Sequence, residues 1–151
     1  MAEYISEEPC EFIYNITAIE KVVDGDTIDV VLDLGFDILH KSSVRLYGID
    51  TPESRTRNLD EKARGKMAGA FLKQAIDNGI QVVIQTKLKD SRGKFGRVLG
   101  NVVVDGVNIN QSMIDHYHAA AYFGQSKEAI EAVHDANRTR LIELGLFEPA
   151  N

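Results

Sequence analysis

Three short segments concentrate groups that can do chemistry. The first is Asp24-Gly25-Asp26-Thr27. Strand alternation beyond it places Asp26 on the side of Ile28, Val30 and Leu32. A carboxylate at the rim of such an apolar face needs a cation, an arginine or backbone donors as its partner. Read alone, Asp-Gly-Asp is more simply an ordinary turn that uses Asp and Gly. An EF-hand calcium loop is excluded, because Asp29 stands where that loop needs glycine and Gly35 where it needs glutamate.

The second segment runs Val44-Arg45-Leu46-Tyr47-Gly48-Ile49-Asp50-Thr51-Pro52-Glu53. It carries one guanidinium and two carboxylates within nine residues. Simple alternation puts Arg45 and Asp50 on opposite faces of a strand, so a shared site requires a bend, and Gly48 is where the chain can make one. Pro52 then holds the turn that aims Glu53. On these residues alone a charged strand end reads as well. The third segment sets Lys87, Lys89, Arg92, Lys94 and Arg97 around Gly93 and Gly96. A basic, glycine-containing loop lets phosphate oxygens meet backbone and guanidinium groups at once, although a solvated hairpin has the same composition. It lacks the Gly-Lys-Ser/Thr ending of a P-loop. The four histidines, His40, His116, His118 and His134, show no metal-ligand spacing, and a surface or hydrogen-bonded structural role is expected for each.

The elements that must position these groups follow from hydrophobic period. Residues 12–46 are rich in Ile, Val, Phe, Tyr and Thr, broken at Asp24-Gly25-Asp26 and at Leu34-Gly35-Phe36, which predicts three strands, the third over 41–47. Residues 60–77 change to helical spacing through Ala63, Met67, Ala70 and Phe71, with Gly65 and Gly69 reserved for close packing against a strand. Asn78-Gly79 is expected to supply a left-handed stop. Strands are predicted over 80–88 and 95–104, the latter ending in an Asp105-Gly106 turn. A short helix capped by Asn108 or Asn110 should run to His118, and a longer one over 127–144, capped by Ser126, should end at Gly145. The order βββ-α-ββ-α-α, without βαβ alternation, predicts a small mixed barrel in place of a doubly wound sheet.

Length and composition narrow the class. A chain of 151 residues with 44% hydrophobic and 26% charged residues fits a single domain, 1–151, with residues 1–11 a loose N-terminal segment. No apolar run is long enough to span a membrane, and the four glutamates in the first eleven residues are unlike a signal peptide, so an intracellular, cytoplasmic location is expected. The single cysteine, Cys10, excludes an internal disulfide and a cysteine-rich zinc site. The net charge of −6 argues against a dedicated nucleic-acid binder, but the stretch 54–97 carries eleven basic residues against four acidic ones. The positive field is therefore confined to the stretch that includes the basic loop.

Taken together, Val23-Asp24-Gly25-Asp26-Thr27, Arg45 through Glu53, Gly65-Lys66-Met67-Ala68, Gly96-Arg97 and Leu144-Gly145-Leu146-Phe147 resemble the staphylococcal nuclease, or thermonuclease, family. The resemblance implies an α+β fold, mainly β: a five-stranded OB-like barrel with three helices. It implies a calcium-dependent endonuclease acting on DNA and possibly RNA. Carried over by motif, Asp26 and Asp50 would bind Ca²⁺ through their carboxylates and Thr51 through its backbone carbonyl. Arg45 and Arg97 would contact the scissile phosphate, and Glu53, ionised and of low pKa beside the cation, would orient or deprotonate the attacking water. Lys94 and Tyr122 would contact substrate. Phe95 and Gly124 stand where the family often has an aromatic hydroxyl and a tyrosine, which bears on base preference. The alternative is a catalytically silent barrel that only binds nucleic acid or protein. All five of Asp26, Arg45, Asp50, Glu53 and Arg97 are present, and a module that only binds has no use for inward carboxylates.

Overall fold

The structure is a computed structural model that describes residues 12–86 and 96–149. The chain runs β1 (Phe12–Asp24), β2 (Thr27–Asp33), β3 (Leu39–Leu46), β4 (Ile49–Asp50), α1 (Leu59–Asp77), β5 (Val82–Thr86), β6 (Val98–Val104), β7 (Val107–Asn108), α2 (Ile109–Asp115), β8 (Ala120–Ala121) and α3 (Lys127–Glu143). Five of these strands close into a barrel. The sheet order is β3-β2-β1-β5-β6, and β3 then pairs in parallel with β6, Val44 opposite Val98 and Arg45 opposite Leu99. β1 serves two neighbours by bending: three register shifts interrupt its ladder with β2, and its first four residues pair with β5. The expected five-stranded barrel with three helices is thus the fold, with the two-residue strands β4, β7 and β8 added to it. Among the described residues no helix is long and apolar enough to cross a membrane.

The predicted alternation holds where it matters. Ile28, Val30 and Leu32 of β2 and Val44 and Leu46 of β3 point inward with Ile84 and Val102, and α1 closes one end with Ala68, Leu72 and Ile76. Each large side chain so buried contributes about 1.5–3 kcal/mol. α1 begins one residue earlier than its period predicts, because the Asn58 side chain accepts from the Glu61 N–H at 3.0 Å and caps it. Its end also differs from expectation. Asn78 is right-handed, and Gly79 is there for space, since a Cβ on it would lie 2.1 Å from Val104 Cγ1. α2 is capped by Asn108 and stops at Asp115, before the expected His118, where Tyr117 takes a positive φ of 66°. Ser126 caps α3 and Gly145, at φ 73°, ends it as predicted. The expectation that β5 continues through residue 88, and that residues 1–11 are loose, falls outside the described residues.

One polar group organises the region behind the third strand. Asn110, 3% exposed, accepts from Val102 N–H at 3.1 Å, and its amide nitrogen faces the Tyr47 carbonyl at 2.9 Å, the Gly100 carbonyl at 3.2 Å and Asn101 Oδ1 at 3.0 Å. It binds the start of α2 to β6 and to the turn after β3. Asn110→Ala would strand several buried backbone groups, each worth ~1–3 kcal/mol, and is expected to destabilise the protein by at least about 3 kcal/mol in urea unfolding. A loss below about 1 kcal/mol would show that these groups find other partners.

Candidate active site

Antiparallel pairing of β2 and β3 sets Thr27 opposite Arg45. Asp26, one residue earlier, therefore lies beside Arg45, and its carbonyl accepts from Leu46 N–H at 2.8 Å. The Asp26 carboxylate is held at both oxygens: Oδ1 accepts from the Thr27 hydroxyl at 3.1 Å and Oδ2 from the Thr51 backbone N–H at 3.2 Å. Arg45 Nη2 stands 3.5 Å from Asp26 Oδ2 and 4.0 Å from Asp50 Oδ1, while Nη1 donates to the Leu46 carbonyl at 2.8 Å. Side-chain exposures of 13% for Asp26 and 18% for Arg45 mean that water screens this pair weakly.

The bend expected at Gly48 is present as a turn, at φ 78°. It ends β3 and starts β4, so Asp50 reaches the same side as Arg45 in spite of strict alternation. β4 is fixed by its pairing with β8, Asp50 opposite Ala120, and by Tyr122 N–H donating to the Gly48 carbonyl at 2.7 Å. Thr51 and Pro52 are then buried against α1. At Gly65 a Cβ would lie 2.7 Å from the Glu53 and Pro52 carbonyl oxygens, and at Gly25 one would lie 2.7 Å from Ala68 Cβ. Glycine at these two positions lets the helix seat directly on both carboxylate-bearing segments. The reserved close packing of Gly65 is therefore against a loop, and not the expected strand. Glu53 N–H donates to Glu61 Oε2 at 3.3 Å, and the Ser54 hydroxyl donates to Asp24 Oδ1. Burial, followed by the negative charges of Asp24, Asp26, Asp50 and Glu61, pushes the Glu53 carboxyl above the usual range. The expected low value belongs to the cation-bound site, where the ion's positive charge opposes these carboxylates.

Among the described residues, Arg45, Asp50 and Arg97 line one open cleft of about 660 Å³ with Tyr47, Tyr122 and Phe123. Of the expected site residues, Asp26, Arg45, Asp50, Thr51 and Glu53 are brought together at one end of the barrel, and Arg97 and Tyr122 face the cleft. Lys94 lies outside the described residues. Among the described residues no group of three His, Cys, Asp or Glu side chains is arranged to hold a metal ion. The donor chemistry nevertheless suits a hard divalent cation: two carboxylates converge on Arg45, and the surplus of negative charge that raises Glu53 is what such an ion would neutralise.

Three groups outside the expected site set are brought here by the fold. Asp24 and Glu61 shape the field at Glu53. His134, from α3, has Nε2 at 2.8 Å from Asp50 Oδ2. It was expected to play a structural, hydrogen-bonded part, and its partner could not be read from a contact spanning more than eighty residues. α3 is tied to α1 by Arg138, whose Nε and Nη2 meet Asp60 at 3.0 and 2.9 Å, and Arg64 Nε reaches the same carboxylate at 2.9 Å.

A family model described as staphylococcal nuclease homologue matches residues 43–141. Over 105 residues the chain is 33% identical to a thermonuclease of Staphylococcus intermedius, covering 70% of this chain and 58% of that protein. Over 102 residues it is 29% identical to endonuclease YncB of Bacillus subtilis (strain 168), covering 68% and 45%. An uncharacterised protein of Bacillus anthracis is 37% identical over 92 residues, covering 61% and 40%. The chain spans between about two fifths and three fifths of the length of these relatives.

The α1–α3 tie has a pH signature. The Arg138 guanidinium, with Arg64 behind it, holds the Asp60 carboxyl below the usual range. A group depressed in the folded state adds stability above its unfolded pKa of about 4 and loses it as the pH falls through the folded value. Asp60→Asn should therefore cost stability at neutral pH, with the gap to wild type narrowing below about pH 4 in urea unfolding. An equal gap at pH 7 and at pH 2.5 would contradict the assignment.

Proposed function

The chain belongs to the staphylococcal nuclease family, and on that premise we propose that it is an endonuclease that hydrolyses phosphodiester bonds of DNA or RNA with calcium. The observation that carries this reading is that Arg45, Asp50 and Arg97, which come from β3, β4 and the approach to β6, line the same open cleft. Two guanidiniums there suit an anionic phosphodiester. The names of the relatives, an endonuclease and a thermonuclease, support the same class of chemistry.

Asp26 and Asp50 would hold Ca²⁺ through carboxylate oxygens and Thr51 through its backbone carbonyl, with water filling the rest of the shell. When bound, the ion supplies positive charge to a non-bridging phosphate oxygen and to the attacking water. Arg45 and Arg97 bind the phosphate and stabilise the charge that builds on its oxygens during in-line attack, each such donor being worth ~3–4 kcal/mol. Asp26 keeps Arg45 aimed. Glu53, two residues beyond Thr51 and beside the Asp26 and Asp50 carboxylates, would orient or deprotonate the attacking water. Tyr122, on the cleft wall, offers a ring face to a base and Lys94 a charge to the chain's phosphates.

With defined oligonucleotides and a panel of divalent metals, cleavage is expected with Ca²⁺ and should stop with chelator. Arg45→Ala and Arg97→Ala should each lower turnover by at least ~100-fold while the fold survives. Binding without cleavage under every metal would reject the enzyme, and near-wild-type turnover of both variants would reject the phosphate clamp. Gly65→Ala forces α1 away from the Glu53 backbone, and displacement of this order should cost at least ~10-fold in turnover. Unchanged turnover would mean that the helix does not set the position of Glu53.

A further inference from the structure

Asp26 and Asp50 are held in different ways. Asp26 has a backbone N–H on one oxygen and a hydroxyl on the other, and 13% of its side chain is exposed. Asp50 sits on a two-residue strand at 37% side-chain exposure, where neighbouring backbone gives its carboxylate little purchase. The restraint comes from α3. His134 Nε2 lies 2.8 Å from Asp50 Oδ2, and the imidazole is itself 13% exposed. The other oxygen, Oδ1, is then the one that faces Arg45, at 4.0 Å.

The helix that delivers His134 is anchored within the next turn beyond this contact. One turn further along the same face, Arg138 grips Asp60 of α1 in a bidentate pair. Asn137 Nδ2 donates at 3.2 Å to the carbonyl of Ala119, whose neighbour Ala120 is the strand partner of Asp50. α3 thus fixes both the strand next to Asp50 and the rotation of its carboxylate.

We infer that His134 is a positioning residue for Asp50: its Nε2–H pins Oδ2 and leaves Oδ1 turned toward the cleft to take a divalent cation. This rests on the proposed Ca²⁺ site. A carboxylate free to rotate must give up that freedom when it binds a cation, whereas one already pinned does not, and loss of such a supporting hydrogen bond typically weakens metal affinity 10–100-fold.

Calorimetric titration of the purified chain with Ca²⁺, in the absence of nucleic acid, tests it. His134→Phe keeps the ring's bulk and removes the donor, and should bind Ca²⁺ at least ~10-fold more weakly, with the metal-free melting temperature close to wild type. His134→Gln can place an amide N–H near the position of Nε2 and should restore most of the affinity. Equal or tighter Ca²⁺ binding by His134→Phe overturns the inference, as does equal loss in both variants, which would mark His134 as packing alone. Wild-type protein that takes up no Ca²⁺ overturns the metal site itself, and this role with it. Should His134→Phe fail to fold, the ring nitrogens of wild-type His134 decide by NMR: a protonated Nε2 supports the inference, and an unprotonated one overturns it.

Discussion

The parallel pairing of β3 with β6 is the contact on which the rest depends. It closes the barrel, and in doing so it sets Val44 beside Val98 and Arg45 beside Leu99. Arg97, just before this pairing begins, is drawn to the cleft that Arg45 lines. Parallel strands cannot be joined by a tight turn, so the chain leaving Leu46 must cross back to the other end of the barrel before β6 begins. That crossing contains the Gly48 turn, the Asp50 to Glu53 segment and α1. The segment that closes the barrel topologically also carries Asp50, Glu53 and Glu61.

Charge is concentrated at this end at some cost to the fold. Burial first, and then the negative charges of Asp24, Asp26, Asp50 and Glu61, raise the Glu53 carboxyl above the usual range. Arg45 offsets part of this negative charge, touching Asp26 and Asp50 at once. Backbone donors and hydroxyls satisfy Asp26, as an ionised group near an apolar core requires. Rigid elements hold the rest in place: α1 sits on the Glu53 backbone through Gly65, and α3 is clamped to α1 through Asp60. A site whose positions are set by packed helices and strands loses little energy in reorganising when charge develops.

The net charge of −6 is compatible with the proposed anionic substrate because the basic residues are segregated. Basic residues cluster in the stretch 54–97, and an electrostatic field acts where its charges lie, not where the chain total points. The proposed affinity for long polymers should accordingly be modest and fall steeply with salt.

Much of the molecule was legible along the chain because its signals are local. Period-two alternation in Ile28, Val30 and Leu32, the helical spacing of 60–77, the Ser126 cap and the Gly145 stop depend on near neighbours and appear where they were expected. Gly48 was identifiable as the bend because two charged groups of opposite strand parity needed it. What the linear order left open involves space and distance. Gly79 is required by Val104, Asn110 by the carbonyls of Tyr47 and Gly100, and the two-residue strands β4 and β8 by each other. The raised Glu53 and the reach of His134 to Asp50 belong to the same class. Residue types and spacing determined which groups could bind a cation and a phosphate. Tertiary structure alone decided that they converge, which oxygens are already committed to hydrogen bonds, and that a helix from the far end of the chain holds Asp50. Electrostatics and close packing depend on distance through space, and the folded barrel is what sets those distances.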